Sequence, residues 1–157
     1  MAFLPTLLLG LSLVPVADAR RRPRPVTRIS AQAVADMARA RGFDAEVSTD
    51  DEGDPMIRAQ NPQFKHIVLF YGCTEEGCET VQFRAWWSVQ SPVSLEVINA
   101  YNVSSRQGRA YLDADRDPTF EMLVPLQGGV LPSHVDALYE LFLGSSSRFA
   151  KRIFEGG

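Results

Sequence analysis

Residues 64–87 read FKHIVLFYGC-TEEG-CETVQFRAWW: two apolar runs hinged on a four-residue polar loop, with the chain's only two cysteines at its lips. Runs of this length and composition around a short Gly-containing loop signal a β-hairpin. If Cys73 lies opposite Cys78, then Phe70 faces Val81, Val68 faces Phe83, His66 faces Ala85 and Phe64 faces Trp87. That side is almost wholly apolar and suits a core. The other side sets Ile67, Leu69 and Tyr71 against Arg84, Gln82 and Thr80, and Trp86 shares it. Ile67, Leu69, Tyr71, Arg84 and Trp86 therefore form a candidate binding surface. The competing reading is that another part of the same chain covers them.

The hairpin needs a domain around it, and 157 residues suffice for one. The apolar share of 45% and charged share of 22% belong to a globular chain. A net charge of -3 gives no overall pull toward nucleic acid. Residues 1–19 differ from the rest: an apolar stretch too short to span a bilayer comfortably ends in Ala17-Asp18-Ala19, an A-x-A-type cleavage site. We read a signal peptide over 1–19, a mature chain starting at Arg20, and a periplasmic or secreted location. Two features oppose this: no basic residue precedes the apolar core, and an arginine cluster follows the cut. An uncleaved anchor or a misassigned start is the alternative. Residues 20–28, rich in Arg and Pro, read as an extended, mobile tether. Membrane contact is expected only through this 20–28 arm.

Residues 29–157 form the domain proper. A helix over 30–41 is capped by Ser30 and closed by Gly42, with a stripe of Ile29, Ala33, Met37 and Ala40 helped by Val34. Phe43, Ala45 and Val47 alternate with polar residues as in a strand, and 55–60 is a second strand after an acidic turn. Beyond the central hairpin, Ser91-Pro92 opens a second helix running to about Asn102. Stretches 109–113 and 120–126 form another hairpin. Ser133 with Asp136 resembles a capping box for a C-terminal helix carrying Val135, Leu138 and Phe142, which residues 144–147 weaken. The order is α-β-β-β-β-α-β-β-α, with no internal repeat beyond a loose recurrence of helix and hairpin. This is an α+β fold: a twisted antiparallel sheet with helices on one face.

In an exported protein, Cys73 and Cys78 are expected to be oxidised, as a structural disulfide contributing on the order of 2–3 kcal/mol at most. A redox pair would want C-x-x-C at a helix start. Zinc lacks ligands, because His66, Cys73, Cys78 and His134 are the only His and Cys available and His66 and Cys73 point to opposite faces. The Asp113-x-Asp115-x-Asp117 and Asp50 to Asp54 stretches fail the calcium-loop pattern at its glycine and glutamate positions. No G-x-S-x-G or phosphate-cradling glycine loop occurs. We expect no catalytic residue, metal or cofactor. Asn102-Val103-Ser104 matches a glycosylation sequon at a helix end. An enzyme or small-ligand binder would need a pocket gathering His66, Trp86 and Tyr101.

Ile98-Asn99-Ala100-Tyr101-Asn102, followed by Arg109-Ala110-Tyr111-Leu112-Asp113-Ala114-Asp115, resembles the YbjN family of bacterial proteins. Val81-Gln82-Phe83-Arg84-Ala85-Trp86 and the opening helix with its acidic turn are also similar. Asn99, Tyr101 and Asn102 carry the family motif. The resemblance implies a fold like that of type III secretion chaperones, often dimeric, and a sensory-regulator role with no catalytic residue set. The leader and the cysteine pair depart from many members. The resulting expectation is a non-enzymatic adaptor or regulatory protein of the bacterial envelope, bound to a protein partner or to a second copy.

Overall fold

Ser30 starts the first helix where its side chain suggests. Its hydroxyl accepts from the Ala33 amide at 3.2 Å, and α1 (Ala31–Arg39) follows. Gly42, at φ +80°, closes the helix end. The buried face is Ala31, Val34, Ala35 and Ala38. The expected stripe is therefore rotated: Ala33 and Met37 are only partly buried and Ala40 is exposed. Small side chains on the buried face let α1 lie close against the sheet. The computed structural model describes residues 23–155, so the expected leader and Arg20 to Arg22 lie outside the described residues.

Six strands follow the predicted order: β1 (Asp44–Thr49), β2 (Pro55–Gln60), β3 (Lys65–Thr74), β4 (Gly77–Trp86), β5 (Arg109–Leu112) and β6 (Pro118–Pro125). They form one antiparallel sheet in the order β1-β2-β3-β4-β6-β5. The central pairing is Val68 opposite Phe83, Phe70 opposite Val81 and Cys73 opposite Cys78. A disulfide joins the two cysteines. Phe64 and Trp87, just outside the strands, keep their rings 6.2 Å apart.

Helix α2 (Leu95–Ser104) begins later than expected. Ser94 caps it through the Val97 amide, and Ser91-Pro92 belongs to the preceding loop. Val93 explains the delay: it is buried in the core, and the chain must deliver it there before turning helical. Helix α3 (Pro132–Glu155) also differs. Pro132 takes its first position, which leaves Ser133 inside the helix and exposed, not capping it. Residues 144–147 do not weaken it. Val135, Tyr139, Phe142, Ser146, Phe149 and Ile153 make one continuous buried stripe. Burial of that stripe outweighs the poor helix propensity of Gly and Ser. The small Ser145 and Ser146 leave room where α2 crosses, and the Tyr101 hydroxyl donates to the Ser145 carbonyl at 2.9 Å.

Helices α1, α2 and α3 pack on one face of the sheet. Ala45, Ile57, Val68, Phe70, Val81, Phe83, Phe120, Met122 and Val124 point into that interface. Phe83 stacks on Tyr139 at 4.6 Å and on Phe142 at 5.4 Å, and Tyr101 meets Phe149 at 4.8 Å. Each such fully buried ring contributes about 2–3 kcal/mol against exposure. Arg41 ties α1 to α3, donating to Asp136 at 2.7 Å and Glu140 at 3.1 Å.

The described part of the 20–28 arm is docked, contrary to a mobile tether. Val26 exchanges two backbone hydrogen bonds with Val130, and Ile29 exchanges two with Cys78. Arg28 donates to the Gly72 carbonyl at 2.7 Å and the Gly77 carbonyl at 3.2 Å, and pairs with Glu79. These bonds satisfy polar groups at the hairpin tip and hold the arm there.

Candidate functional site

The sheet face turned away from the helices is the feature from which a function can be read. Register sets one row of side chains straight across it: Glu46, Arg58, Ile67, Arg84, Glu121 and Arg109, each opposite the next. Glu121 is the row's centre of charge. It is only 5% exposed, because the long side chains on both neighbouring strands fold over it. Arg109 holds one carboxylate oxygen at 2.6 Å, and the Tyr111 hydroxyl donates to the other at 2.9 Å. Arg84 Nε is 3.3 Å from that second oxygen, an ion pair without hydrogen-bond alignment. Burial and the bond to Glu121 push the Tyr111 phenol up to about 12, so it stays a donor. Two guanidiniums and one hydroxyl thus occupy the carboxylate.

The apolar residues lie around this network. Met56 and Leu69 are buried, Ile67 and Trp86 are half-buried, and Tyr71 is exposed. The Tyr71 hydroxyl donates to Gln82 Oε1 at 2.6 Å. Leu123, opposite Gln82, is 56% exposed. Lys65 Nζ sits 5.7 Å from the Trp86 ring centroid. A cleft of about 280 Å³ lies between Glu46, Arg58, Lys65, Ile67 and Trp86, and an open groove of about 430 Å³ runs beside Arg109, Glu121 and Leu123. Of the expected surface, Ile67, Leu69, Tyr71, Arg84 and Trp86 do share one face. Leu69 forms its floor, while Tyr71 and Leu123 stand out from it.

No pocket gathers all three of His66, Trp86 and Tyr101: the first two border the cleft of about 280 Å³, and Tyr101 does not. His66 points into the core, 1% exposed, with Nε2 at 2.5 Å from the Tyr139 hydroxyl. Burial lowers its pKa to about 4. The Trp86 side chain is on the opposite face of the sheet, and the Tyr101 ring packs against Phe120 and Phe149. Cys78 is held in the disulfide, so it offers no thiolate.

Two of the three motif residues, Tyr101 and Asn102, make bonds that hold the fold together. The Asn102 side chain donates to the Ala110 carbonyl at 2.9 Å and accepts from its amide at 2.8 Å. It thereby imitates a neighbouring strand for the edge of β5, and its nitrogen is engaged where a glycan would attach. Asn99 is exposed. Among the described residues, no three His, Cys, Asp or Glu side chains are grouped to hold a metal ion. In both acidic loops the first aspartate is turned inward: Asp50 Oδ1 accepts the Glu52 and Asp54 amides, and Asp113 Oδ1 accepts those of Asp115 and Asp117.

Sequence reasoning passed over Glu121, Arg109 and Tyr111. The available signal was an acid between Phe120 and Met122, on an outward position of an alternating strand. Its partners sit on β4 and β5, and the β4 pairing is not a hairpin that local sequence announces.

A helix-backed antiparallel sheet with one open, charged and partly apolar face defines an α+β module of the sheet-and-helix kind. The YbjN family pattern, whose description reads "Putative bacterial sensory transduction regulator", matches residues 30–155, and the chain belongs to the YbjN family. A solved structure of similar fold is YbjN from E. coli, titled a "putative transcription regulator". It has 15% identity and a TM-score of 0.58, covering 80% of this chain and 90% of that one. Among curated proteins no sequence matches.

Proposed function

We propose that the protein is a non-enzymatic, exported YbjN-domain protein that binds a protein partner or a second copy, as an adaptor or regulator in the bacterial envelope. The observation that carries this is the open sheet face: central strands with no helix over them among the described residues, Tyr71 and Leu123 exposed, and a charged row beneath. Exposed apolar groups set among fixed charges suit recognition of another protein surface. The family's sensory-regulator description agrees with a role exercised through binding. The pattern of residues 1–19 supports export, and the hairpin disulfide is of the kind that persists in oxidising compartments.

Gel filtration and pull-down from periplasmic extract test the reading, using wild type, Leu123→Asp and Tyr71→Asp. Wild type should run as a dimer or retain a saturable partner. Both variants should lose that association while keeping the wild-type circular dichroism spectrum. A monomeric wild type that retains nothing would sink the proposal. N-terminal sequencing of the secreted form should begin at Arg20; a start at Met1 would remove the export argument.

A further inference from the structure

Arg28, Arg39, Arg41, Arg84 and Arg109 each meet a carboxylate. The arginines of one cavity do not. Between the end of α2, the loop to β5 and α3 lies a cleft of about 590 Å³ whose charged lining is Arg106, Arg148 and Arg152. No acidic side chain lines it, and among the described residues none of the three arginines forms an ion pair. The chain as a whole carries a net charge of -3, so three uncompensated cations in one cavity run against its average. Arg148 and Arg152 are one turn apart on α3, a spacing at which like charges repel.

The end of α2 does not account for them. None of the three arginines donates to a carbonyl there, and the Tyr101 carbonyl already accepts from the Ser105 amide and the Ser104 hydroxyl. Arg148 makes one side-chain bond, to Ser145 Oγ at 2.9 Å. Arg106 and Arg152 are exposed and have no side-chain hydrogen bond among the described residues. The cleft thus offers most of three guanidinium forks, with Ala100 and Tyr101 as an apolar wall. Its size falls in the range of small-molecule sites.

We propose that this cleft binds a phosphate group carried by a small organic molecule or a lipid headgroup. A planar fork matches carboxylate and phosphate oxygens alike, and three forks around one cavity suit the several oxygens and the higher charge of phosphate. The site is on the helical side of the domain, away from the open sheet face, so its failure and that of the partner-binding reading are separate results.

The test uses the full chain at low ionic strength, where screening is weak. Calorimetric titration with inorganic pyrophosphate, and co-sedimentation with phosphatidylglycerol vesicles against neutral phosphatidylcholine vesicles, provide two arms. Binding is expected in at least one arm. The double variant Arg106→Glu/Arg152→Glu should weaken it by about a hundredfold, roughly tenfold per lost charged contact. Arg58→Glu, on the far face, should leave it unchanged. Arginine-dependent binding of pyrophosphate alone points to a soluble phosphate ester; arginine-dependent vesicle binding points to a headgroup. No saturable binding in either arm, or binding that the double variant retains, overturns the proposal.

Discussion

Burial leaves His66 among Phe43, Phe64, Tyr139 and Phe142, with a single hydroxyl for company. Its folded pKa of about 4 lies below the ordinary 6.5. Between those values the unfolded chain binds a proton that the folded chain refuses, so stability falls as pH falls. At pH 5 the loss is about 2 kcal/mol relative to neutral pH, at 1.36 kcal/mol per pH unit below 6.5. Urea unfolding at both pH values should show it, and His66→Gln should remove most of the difference. Asp136, lowered by its bond to Arg41, contributes stability that is lost only at more acidic pH, so the two windows separate. A second residue-scale case is Arg116, at φ +64°, where the matching turn between β1 and β2 has Gly53 at φ +90°. Both loops close alike, Asp50 N to Asp54 O and Asp113 N to Asp117 O. Arg116→Gly should raise stability by about 0.5 kcal/mol, the relief of left-handed backbone less glycine's greater unfolded freedom. Thermal unfolding would check it. The acidic turns were legible in the sequence, because Asp, Gly and Pro announce them. The strained position was not, because Arg carries no turn signal.

At the scale of elements, one side chain holds α2 to the sheet edge. Asn102→Ala would leave the Ala110 amide and carbonyl without partners, at a cost of about 2 kcal/mol. Hydrogen exchange at Ala110 should accelerate well beyond that at Phe120 on the neighbouring strand. Equal protection at both amides in the variant would show that α2 is held by other means. The hairpins were legible because alternation and turn residues are local. The helix ends were less so: Ser91-Pro92 reads as a start, and only the burial of Val93 moves the cap to Ser94. The continuity of α3 depends on α2 crossing at Ser145, a contact that no window of local sequence contains.

Across the whole molecule, the loose recurrence of helix and hairpin becomes an arrangement. One helix-strand-strand unit, α1-β1-β2, occupies one end of the sheet; α2-β5-β6 occupies the other, and the β3–β4 hairpin lies between. In each unit the edge strand comes first and the inner strand second, so the two mirror one another across the centre. Periodicity alone identified the fold class and the inner face. It could not pair β4 with β6, and so the meeting of Arg84, Glu121 and Arg109 stayed hidden although each residue was in plain view. The segment before α1 has a consequence of another kind. Its bonds run to Val130 and into the disulfide-closed tip of the central hairpin. A pull on the chain from its N-terminal side would therefore load the covalently closed middle of the sheet before reaching α1. Tension entering there would meet a cross-linked pair of strands before it met the first helix.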